Sequence, residues 1–576
     1  MENGEYSRLL EETADLMEIA AEDSFRIRSY RNAAAAIEGY PERIDDILKD
    51  AKRKITDVPG IGKGIASALT EIAARGSFER RDEMLEKYPP TALEMLKIQG
   101  LGPKSVAAII EHFRVSTLDG LERLCKEGKL QSLPRMGAKL EEKVLRSIAA
   151  YRRRAGRFLL SFATGVAHDL SEHLRQSGAL QVEAAGSVRR GRETVGDVDL
   201  LVTGGDAGKI IESFVTHPRV HEVLVKGENK ASVKIGMEGL QVDLRALPAE
   251  SYGAALQYFT GSKTHNVALR QRALKRGYTL NEYGLTMLDG GALVAGATEE
   301  DIYAKLRLAW VPPELREQQG EIEAAEAGTL PELVTLADIR GDLHMHTRET
   351  DGRATLEEMA AEAKAHGYQY IAITDHSKAL AMANGLDEAR VTAFAKLVRA
   401  VNKEGHLGIR IFSGLECDIR RDGTMDIEDD ALAELEVVVA SVHSYMNLES
   451  AEMTDRLLRA IENPHVKILG HPTGRQLLHR ESYPYDFDQV VNAAVKNGVV
   501  FEINASPERL DLGGTLIRTA KAKGARFTIS TDAHHPKHLA NMPFGVTTAR
   551  RGWLTKQDVL NTLPAERFLE VLRRPA

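Results

Sequence analysis

From Asp338 to the end of the chain, nine His, Asp and Glu residues stand at or just past the C-terminal end of a short apolar run. They are His344 and His346 in IRGDLHMH, Asp351 in the loop that follows, His376 in YIAITDH, Glu416 in IRIFSGLE, His443 in VVVASVH, His471 in VKILGH, and Asp532 and His534 in RFTISTDAH. Short apolar runs alternating with helical segments predict parallel strands joined by crossover helices, and hence a β/α barrel. In such a barrel the strand ends converge on one face, where active sites form. A single histidine at a strand end is ordinarily a packed or capping residue, but nine ligand-type side chains in succession argue for metal. Mixed imidazole and carboxylate ligands suit Zn²⁺ or Mn²⁺. Nine ligands, one of them bridging, suffice for three ions at open sites.

The rest of the chain has a different texture. Residues 1–155 read as helical, with amphipathic stretches at Ser7–Ala21 and Ser29–Ile37. Within them a turn recurs as VPGIGKGIA (Val58–Ala66) and IQGLGPKSV (Ile98–Val106), with a weaker echo at Leu133–Val144. Each places two glycines directly before a helix, whose free N–H groups and dipole favour a phosphate. This is a helix-hairpin-helix pattern that grips a nucleic-acid backbone without reading sequence. Gly60, Gly62 and Lys63 are its candidate DNA contacts in the first copy, and Gly100, Gly102 and Lys104 in the second. Net charge is −8. Yet residues 26–157 hold 27 basic against 18 acidic residues, a locally positive surface. With two cysteines far apart, a disulfide framework is not expected. The acidic N-terminus lacks a signal-peptide pattern and no apolar run has membrane-span length, so a cytoplasmic protein without a membrane partner is expected.

Residues 158–250 bring strand-like runs at 198–202, 231–235 and 240–247. In GSVRRGRETVGDVDLLV, Asp197 and Asp199 are two apart on a predicted strand and face one side. Asp243 lies in QVDLRAL on another. Three clustered carboxylates repel unless a divalent cation is shared, and hard oxygen ligands suit Mg²⁺ that also binds phosphates. The Gly186–Ser187 turn with Arg189 and Arg190 supplies donors for a triphosphate.

GS-x-RRG…GDVDLL resembles the nucleotidyltransferase signature of bacterial family X DNA polymerases, the group related to polymerase beta. YFTGSKTHNVALRQRALKRGYTLNEYGL resembles the family's nucleotide-selecting segment. The resemblance implies two Mg²⁺ at Asp197 and Asp199, with Asp243 binding the catalytic ion. It implies triphosphate contacts from Gly186, Ser187, Arg190 and Gly196, and sugar selection by Tyr258 with Phe259 and Gly261. Asn266 would reach the base pair and Arg270 the template side. Ala68 stands where polymerase beta has its Schiff-base lysine, which puts a lyase reaction in doubt. The nine-residue set resembles the polymerase-and-histidinol-phosphatase (PHP) domain, a seven-stranded, distorted TIM-like barrel. That resemblance implies one ion on His344, His346, Glu416 and Asp532, a second on Glu416, His443 and His471, and a third on Asp351, His376 and His534.

The expected architecture is therefore multidomain, with helical helix-hairpin-helix domains, an α+β palm and a PHP barrel. Its parts are a lyase-like helical domain at 1–85, a second hairpin domain at 86–155, a nucleotidyltransferase palm at 156–250, a nucleotide-selection domain at 251–316, a linker at 317–337 and the PHP domain at 338–576. The implied function is a DNA-directed DNA polymerase that fills short gaps in base excision repair, with a 3′–5′ exonuclease. Abasic-site endonuclease or 3′-phosphatase activity remains open. Gapped or primer-template DNA and deoxynucleoside triphosphates are the expected partners, and a monomer the expected state. Three alternatives stand beside this reading: a template-independent nucleotidyltransferase in front, and a small-molecule phosphatase or a structural platform behind.

Overall fold

The computed structural model describes residues 3–572 apart from Gly39, Pro41, Ala51, Pro59, Arg135 and Ala155. It divides into two compact units, Met1–Ala155 and Gly156–Ala576. No helix among the described residues is long and apolar enough to cross a membrane.

The first unit is helical. Helices Asn3–Ile19 and Ser24–Glu38 take up the two expected amphipathic stretches, the first ending two residues before Ala21. The recurring turn takes the same form twice. Gly60 and Gly100 adopt φ of +88° and +98°, in the left-handed region that glycine enters at least cost. Gly62 and Gly102 then cap helices Lys63–Arg75 and Pro103–Phe113. Lys63 and Lys104 stand exposed in the first turn of each helix, where positive charge and free N–H groups coincide. Pro59, in the first turn, lies outside the described residues.

Among its described residues the second unit holds a two-stranded antiparallel pair, Phe158–Leu159 with Thr194–Val195, and three larger sheets. A five-stranded sheet is built from β1 (Gln181–Ala184), β2 (Asp197–Thr203), β3 (Val220–Lys226), β4 (Lys230–Ile235) and β5 (Leu240–Leu247). Its order is β1-β2-β5-β4-β3, with β2 and β5 parallel and the other pairs antiparallel. Helix Leu160–Gln176 packs on it through Ala163, Val166 and Leu170. Sequence reasoning missed β3, an edge strand with Val223, Leu224 and Val225 exposed, so no buried face marks it with a period-two pattern. A small antiparallel sheet follows, of β6 (Tyr278–Asn281), β7 (Gly284–Met287) and β8 (Leu293–Ala295).

The third sheet is parallel and seven-stranded: β9 (Gly341–Asp342), β10 (Tyr370–Ile373), β11 (Arg410–Asp418), β12 (Val437–Ser441), β13 (Ile468–Leu469), β14 (Val500–Asn504) and β15 (Phe527–Ser530), in chain order. β10, β12, β14 and β15 are buried along their whole length, as strands covered on both faces must be. The sheet curls until its ends nearly meet. The fully buried Asn561 spans the gap, donating to the carbonyls of Gly341 (2.8 Å) and Ile529 (2.7 Å) and accepting from the Ile529 amide (3.0 Å).

The stretch 317–337 departs from the expected tether. It carries helix Glu321–Ala327, and the fully buried Glu321 lies 2.6 Å from His265 Nδ1. Val334 then bonds the carbonyl of Leu554 at 3.0 Å. A polar, Pro- and Gly-rich composition reads as a linker, but here its charged residues find buried partners in the bodies on either side. A second buried network lies beside it. Glu299 meets Arg316 at 2.6 Å and Arg189 at 2.8 Å. Burial opposes its ionisation, but Arg316 and Arg189 more than offset this and bring the carboxyl down to about 2.

A depressed carboxyl contributes stability above its unfolded value near 4.5, and that contribution is lost as pH falls toward 2. Glu299→Gln leaves Arg316 buried without its charge partner. Denaturant unfolding at pH 7 is expected to show a loss of about 3–4 kcal/mol, shrinking as pH falls toward 2. Equal stabilities of variant and wild type at pH 7 would contradict the assignment.

Candidate active sites

In the five-stranded sheet the parallel register sets Asp199 opposite Asp243, on neighbouring strands about 4.8 Å apart. Asp197, two residues earlier on β2, shares that face. Asp243 accepts hydrogen bonds from the Ser232 hydroxyl and, at 3.2 Å, from Gln241 Nε2. Asp199 feels the charge of both neighbouring carboxylates. Burial, then the charges of Asp197 and Asp243, push its carboxyl up to about 7, against the pull of Arg245 and Arg190.

A cleft of about 480 Å³ opens beside these carboxylates. Gly186, Ser187, Arg190, Asp197, Asp199, Tyr258, Phe259, Gly261, Asn266 and Arg270 all line it, together with Lys263. Two expected residues do not: Gly196 lies just before β2, and Asp243 stands on β5 behind Asp199. Tyr258 and Phe259 meet edge to face at 5.2 Å between ring centres. Asn266 is committed within the fold, donating to the Tyr258 carbonyl (2.7 Å) and accepting from Gln257 (2.8 Å). Arg189, expected with Arg190 at the triphosphate, is instead turned onto the buried Glu299. Arg245 lies over the Phe259 ring, 4.5 Å from its centre.

At the C-terminal rim of the barrel all nine expected side chains come together. Glu416, 1% exposed, is the hub. Its Oε1 lies 2.8 Å from His471 Nε2 and 3.3 Å from His443 Nε2. Its Oε2 lies 2.9 Å from His376 Nδ1, 3.4 Å from His344 Nε2 and 3.7 Å from His346 Nε2. Asp532 Oδ1 is 3.2 Å from His346 Nε2 and 3.6 Å from His344 Nε2. Asp351 Oδ2 is 3.4 Å from His376 Nε2 and 3.5 Å from His534 Nε2. His471 and Asp532 carry φ of +25° and +54°, a strain that non-glycine residues tolerate mainly where the surroundings enforce it.

Several partners of these side chains were not anticipated. The fully buried Glu502 accepts from His344 Nδ1 at 2.7 Å, which leaves Nε2 facing Glu416. Asp375 accepts from the Thr347 amide (2.7 Å) and from the Thr347 and Thr350 hydroxyls (2.6 Å each), pinning the loop that bears Asp351. Asn504 donates to Asp532 at 3.0 Å, and Arg509 lies 3.5 Å from it. A carboxylate inside an apolar strand, as in VVFEI, was the available signal for Glu502. Arg475 donates to the backbone carbonyls of Arg509 and Leu510.

The DNA polymerase/3′-5′ exonuclease PolX of Bacillus subtilis (strain 168) is 37% identical over 556 residues, 96% of each chain. The chain belongs to the PolX family. Family models match in the same order along it: a helix-hairpin-helix domain at 1–78, a SAM-like helix-hairpin-helix tandem at 92–150, a DNA polymerase beta thumb at 255–317 and a PHP domain at 342–506. A probable phosphatase of Thermoanaerobacter sp. (strain X514) is 30% identical over 232 residues, 38% of this chain and 89% of that protein. One from Edwardsiella ictaluri (strain 93-146) is 30% identical over 246 residues, 40% and 94% respectively.

The rim of the barrel fits divalent cations. Ligand atoms lie within 4.8 Å of one another in three groups: His346, Asp351, His376 and His534; His344, His346 and Glu416; and His376, Glu416 and His443. His346 and His376 each enter two groups, as Glu416 does, so the sets are more interlocked than the resemblance implied, where Glu416 alone was shared. His344 Nε2, His346 Nδ1, His376 Nδ1, His443 Nδ1 and His471 Nδ1 are buried without hydrogen-bond partners, and several of these imidazole nitrogens are free to take a cation. The electrostatics agree. Burial opposes charge on His376 and His443, but Glu416 and the neighbouring carboxylates Asp351 and Asp418 raise them to about 10 and about 9. The carboxylates that favour a proton on these two rings favour a cation there as well.

Two outcomes are expected at the barrel rim. Cations must displace those protons, so the barrel site is expected to bind Mn²⁺ more tightly as pH rises from 7 toward 9. Calorimetric titration in buffers of different ionisation heat reads both the affinity and the proton release, and a pH-independent affinity would count against proton displacement. Glu502→Gln, which loosens the grip on His344, should weaken metal affinity by about 10–100-fold. Chelator competition measures it, and unchanged affinity would remove Glu502 from the site.

Proposed function

We propose that the palm cleft extends a DNA primer by templated nucleotide addition in short gaps, and that the barrel rim removes nucleotides from 3′ ends. The observation that carries the first half is the register of Asp197, Asp199 and Asp243 beside a cleft lined by Ser187, Arg190, Tyr258 and Arg270. For the second half it is the convergence of nine ligand-type side chains on Glu416. The pairing follows the PolX family, and the two hairpin motifs supply the grip on DNA backbone.

In the palm, Asp197 and Asp199 would hold two Mg²⁺, with Asp243 joining them at the catalytic one. At the rim, the nine residues would hold up to three Zn²⁺ or Mn²⁺. Bound cations at both sites supply Lewis acidity toward phosphate oxygens and toward the attacking hydroxyl or water. The chain's residues do the rest. Ser187 and Arg190 bind the triphosphate and neutralise it as pyrophosphate leaves. Asp243, fixed by Ser232 and Gln241, helps take the proton from the primer 3′-hydroxyl. Tyr258, braced by Phe259, stands where a ribose 2′-hydroxyl would clash, and Asn266 holds Tyr258 from behind. Gly60, Gly62, Lys63, Gly100, Gly102 and Lys104 meet DNA phosphates. At the rim, Glu502 and Asp375 hold His344 and the Asp351 loop in place, and Asn504 does the same for Asp532. Trimming followed by filling suits base excision repair. Ala68, buried in its helix, offers no amine for a Schiff base.

The test is gapped duplex DNA with a mismatched or matched 3′ end, incubated with wild type and two variants. Asp197→Ala is expected to lower extension by at least about 10²-fold, the scale for removing one pre-organised catalytic group, and to leave trimming intact. His344→Ala is expected to do the reverse. Extension without a template strand would favour a terminal nucleotidyltransferase, and loss of both activities in His344→Ala would make the barrel a structural platform.

A further inference from the structure

The GSVRRG segment that lines the palm cleft is seated directly on the C-terminal barrel. Gly191, at φ +64°, approaches Thr547 of helix Met542–Arg551 so closely that a Cβ would overlap its Cγ2, and only glycine fits. At the end of that helix Arg551 donates from Nη1 to the Arg190 carbonyl at 2.7 Å and lies 3.3 Å from Glu317 Oε1. The same Glu317 oxygen accepts from Arg190 Nε at 3.1 Å. Arg190 Nη1 donates to the Thr260 carbonyl. Arg192 stands 3.7 Å from Glu317 as well. The side chains of Arg190, Glu317 and Arg551 are 15%, 17% and 8% exposed, so the contacts are largely shielded from water.

Charge and geometry agree on what this does. One carboxylate among three guanidiniums orients Arg190 while leaving positive charge in excess, as a triphosphate site needs. Removing Arg551 would free the Arg190 backbone on one side and loosen Glu317, which orients the Arg190 guanidinium, on the other. The adjacent Glu193 is bound to the barrel too, 3.7 Å from Arg475. Burial would raise its carboxyl, but Arg475 and Arg551 hold it below the ordinary range and anionic.

We propose that Arg551, acting through Glu317 and the Arg190 carbonyl, is a positioning residue for nucleotide binding in the palm, so that the C-terminal barrel is part of the polymerase site. This rests on reading the palm cleft as the triphosphate site. A neighbouring contact separates positioning from general seam stability. Arg550, one residue earlier, pairs with Glu314 at 2.6 Å and with the Val334 carbonyl at 3.2 Å, and neither partner lines the cleft.

The experiment uses full-length protein carrying Arg551→Ala, Glu317→Gln or Arg550→Ala. Binding of a fluorescent deoxynucleoside triphosphate is read alongside KM and kcat for extension on gapped DNA and the rate of 3′-end trimming. Arg551→Ala is expected to raise Kd and KM for the triphosphate about tenfold, the worth of a charge-assisted hydrogen bond, with kcat within about twofold. Arg550→Ala is expected to stay near wild type, and trimming to be unchanged in all three. Should Arg551→Ala fail to fold, Glu317→Gln keeps the side-chain volume, tests the same contact and is expected to raise KM likewise. Unchanged nucleotide affinity in the Arg551 and Glu317 variants, or an equal rise in Arg550→Ala, overturns the positioning role while leaving the palm reading intact. A wild-type protein that neither binds the triphosphate nor extends DNA overturns both.

Discussion

A carboxylate 1% exposed to solvent, facing five imidazoles, is the interaction on which the C-terminal half depends. Glu416 taken alone would be costly to bury as an anion. Surrounded by His344, His346, His376, His443 and His471 it is held ionised well below the usual carboxylate range, despite its burial. That arrangement balances only with positive charge among the rings, carried by protons or by divalent cations. The barrel architecture makes it possible, because six of the seven parallel strands bring ligand-type side chains to a common rim and the seventh, β14, brings Glu502 behind His344. The five-stranded sheet poses a smaller version of the same problem, with Asp199 pushed up by burial and by two neighbouring carboxylates, an environment that favours a shared cation or proton.

The supporting shell explains why the rim is rigid. Glu502 orients His344, Asp375 pins the Asp351 loop, and Asn504 and Arg509 hold Asp532, so few ligands depend on their own rotamer preference. Asn561 closes the sheet below them by satisfying backbone groups of the first and last strands. The positive φ of His471 and Asp532 persists because these contacts over-determine it.

Much of this was legible from residues near one another in the chain. Seven apolar runs must be buried on both faces, and their polar ends must then share a face, so barrel and ligand set emerge together. The period-two spacing of Asp197 and Asp199 and the repeated Gly-x-Gly turns are equally local. What was hidden depends on distant pairs. Glu502 meets His344 across 158 residues, and Arg551 meets the Arg190 carbonyl across 361. The buried partners of Glu321 and Glu299 turned a linker-like stretch into a packed strap and drew Arg189 away from the cleft. β3 escaped because an exposed edge strand has no buried face to set a pattern.

Divalent cations at two carboxylate-centred sites are the claim on which everything else turns. Anomalous diffraction from crystals of the full-length protein soaked with Mn²⁺ and a non-hydrolysable deoxynucleoside triphosphate tests it most directly. Peaks are expected on both sides of Glu416, shared with the surrounding histidines, and between Asp197 and Asp199 beside the triphosphate. Occupied nucleotide with no peak at either carboxylate centre, or peaks confined to surface acids, would contradict it.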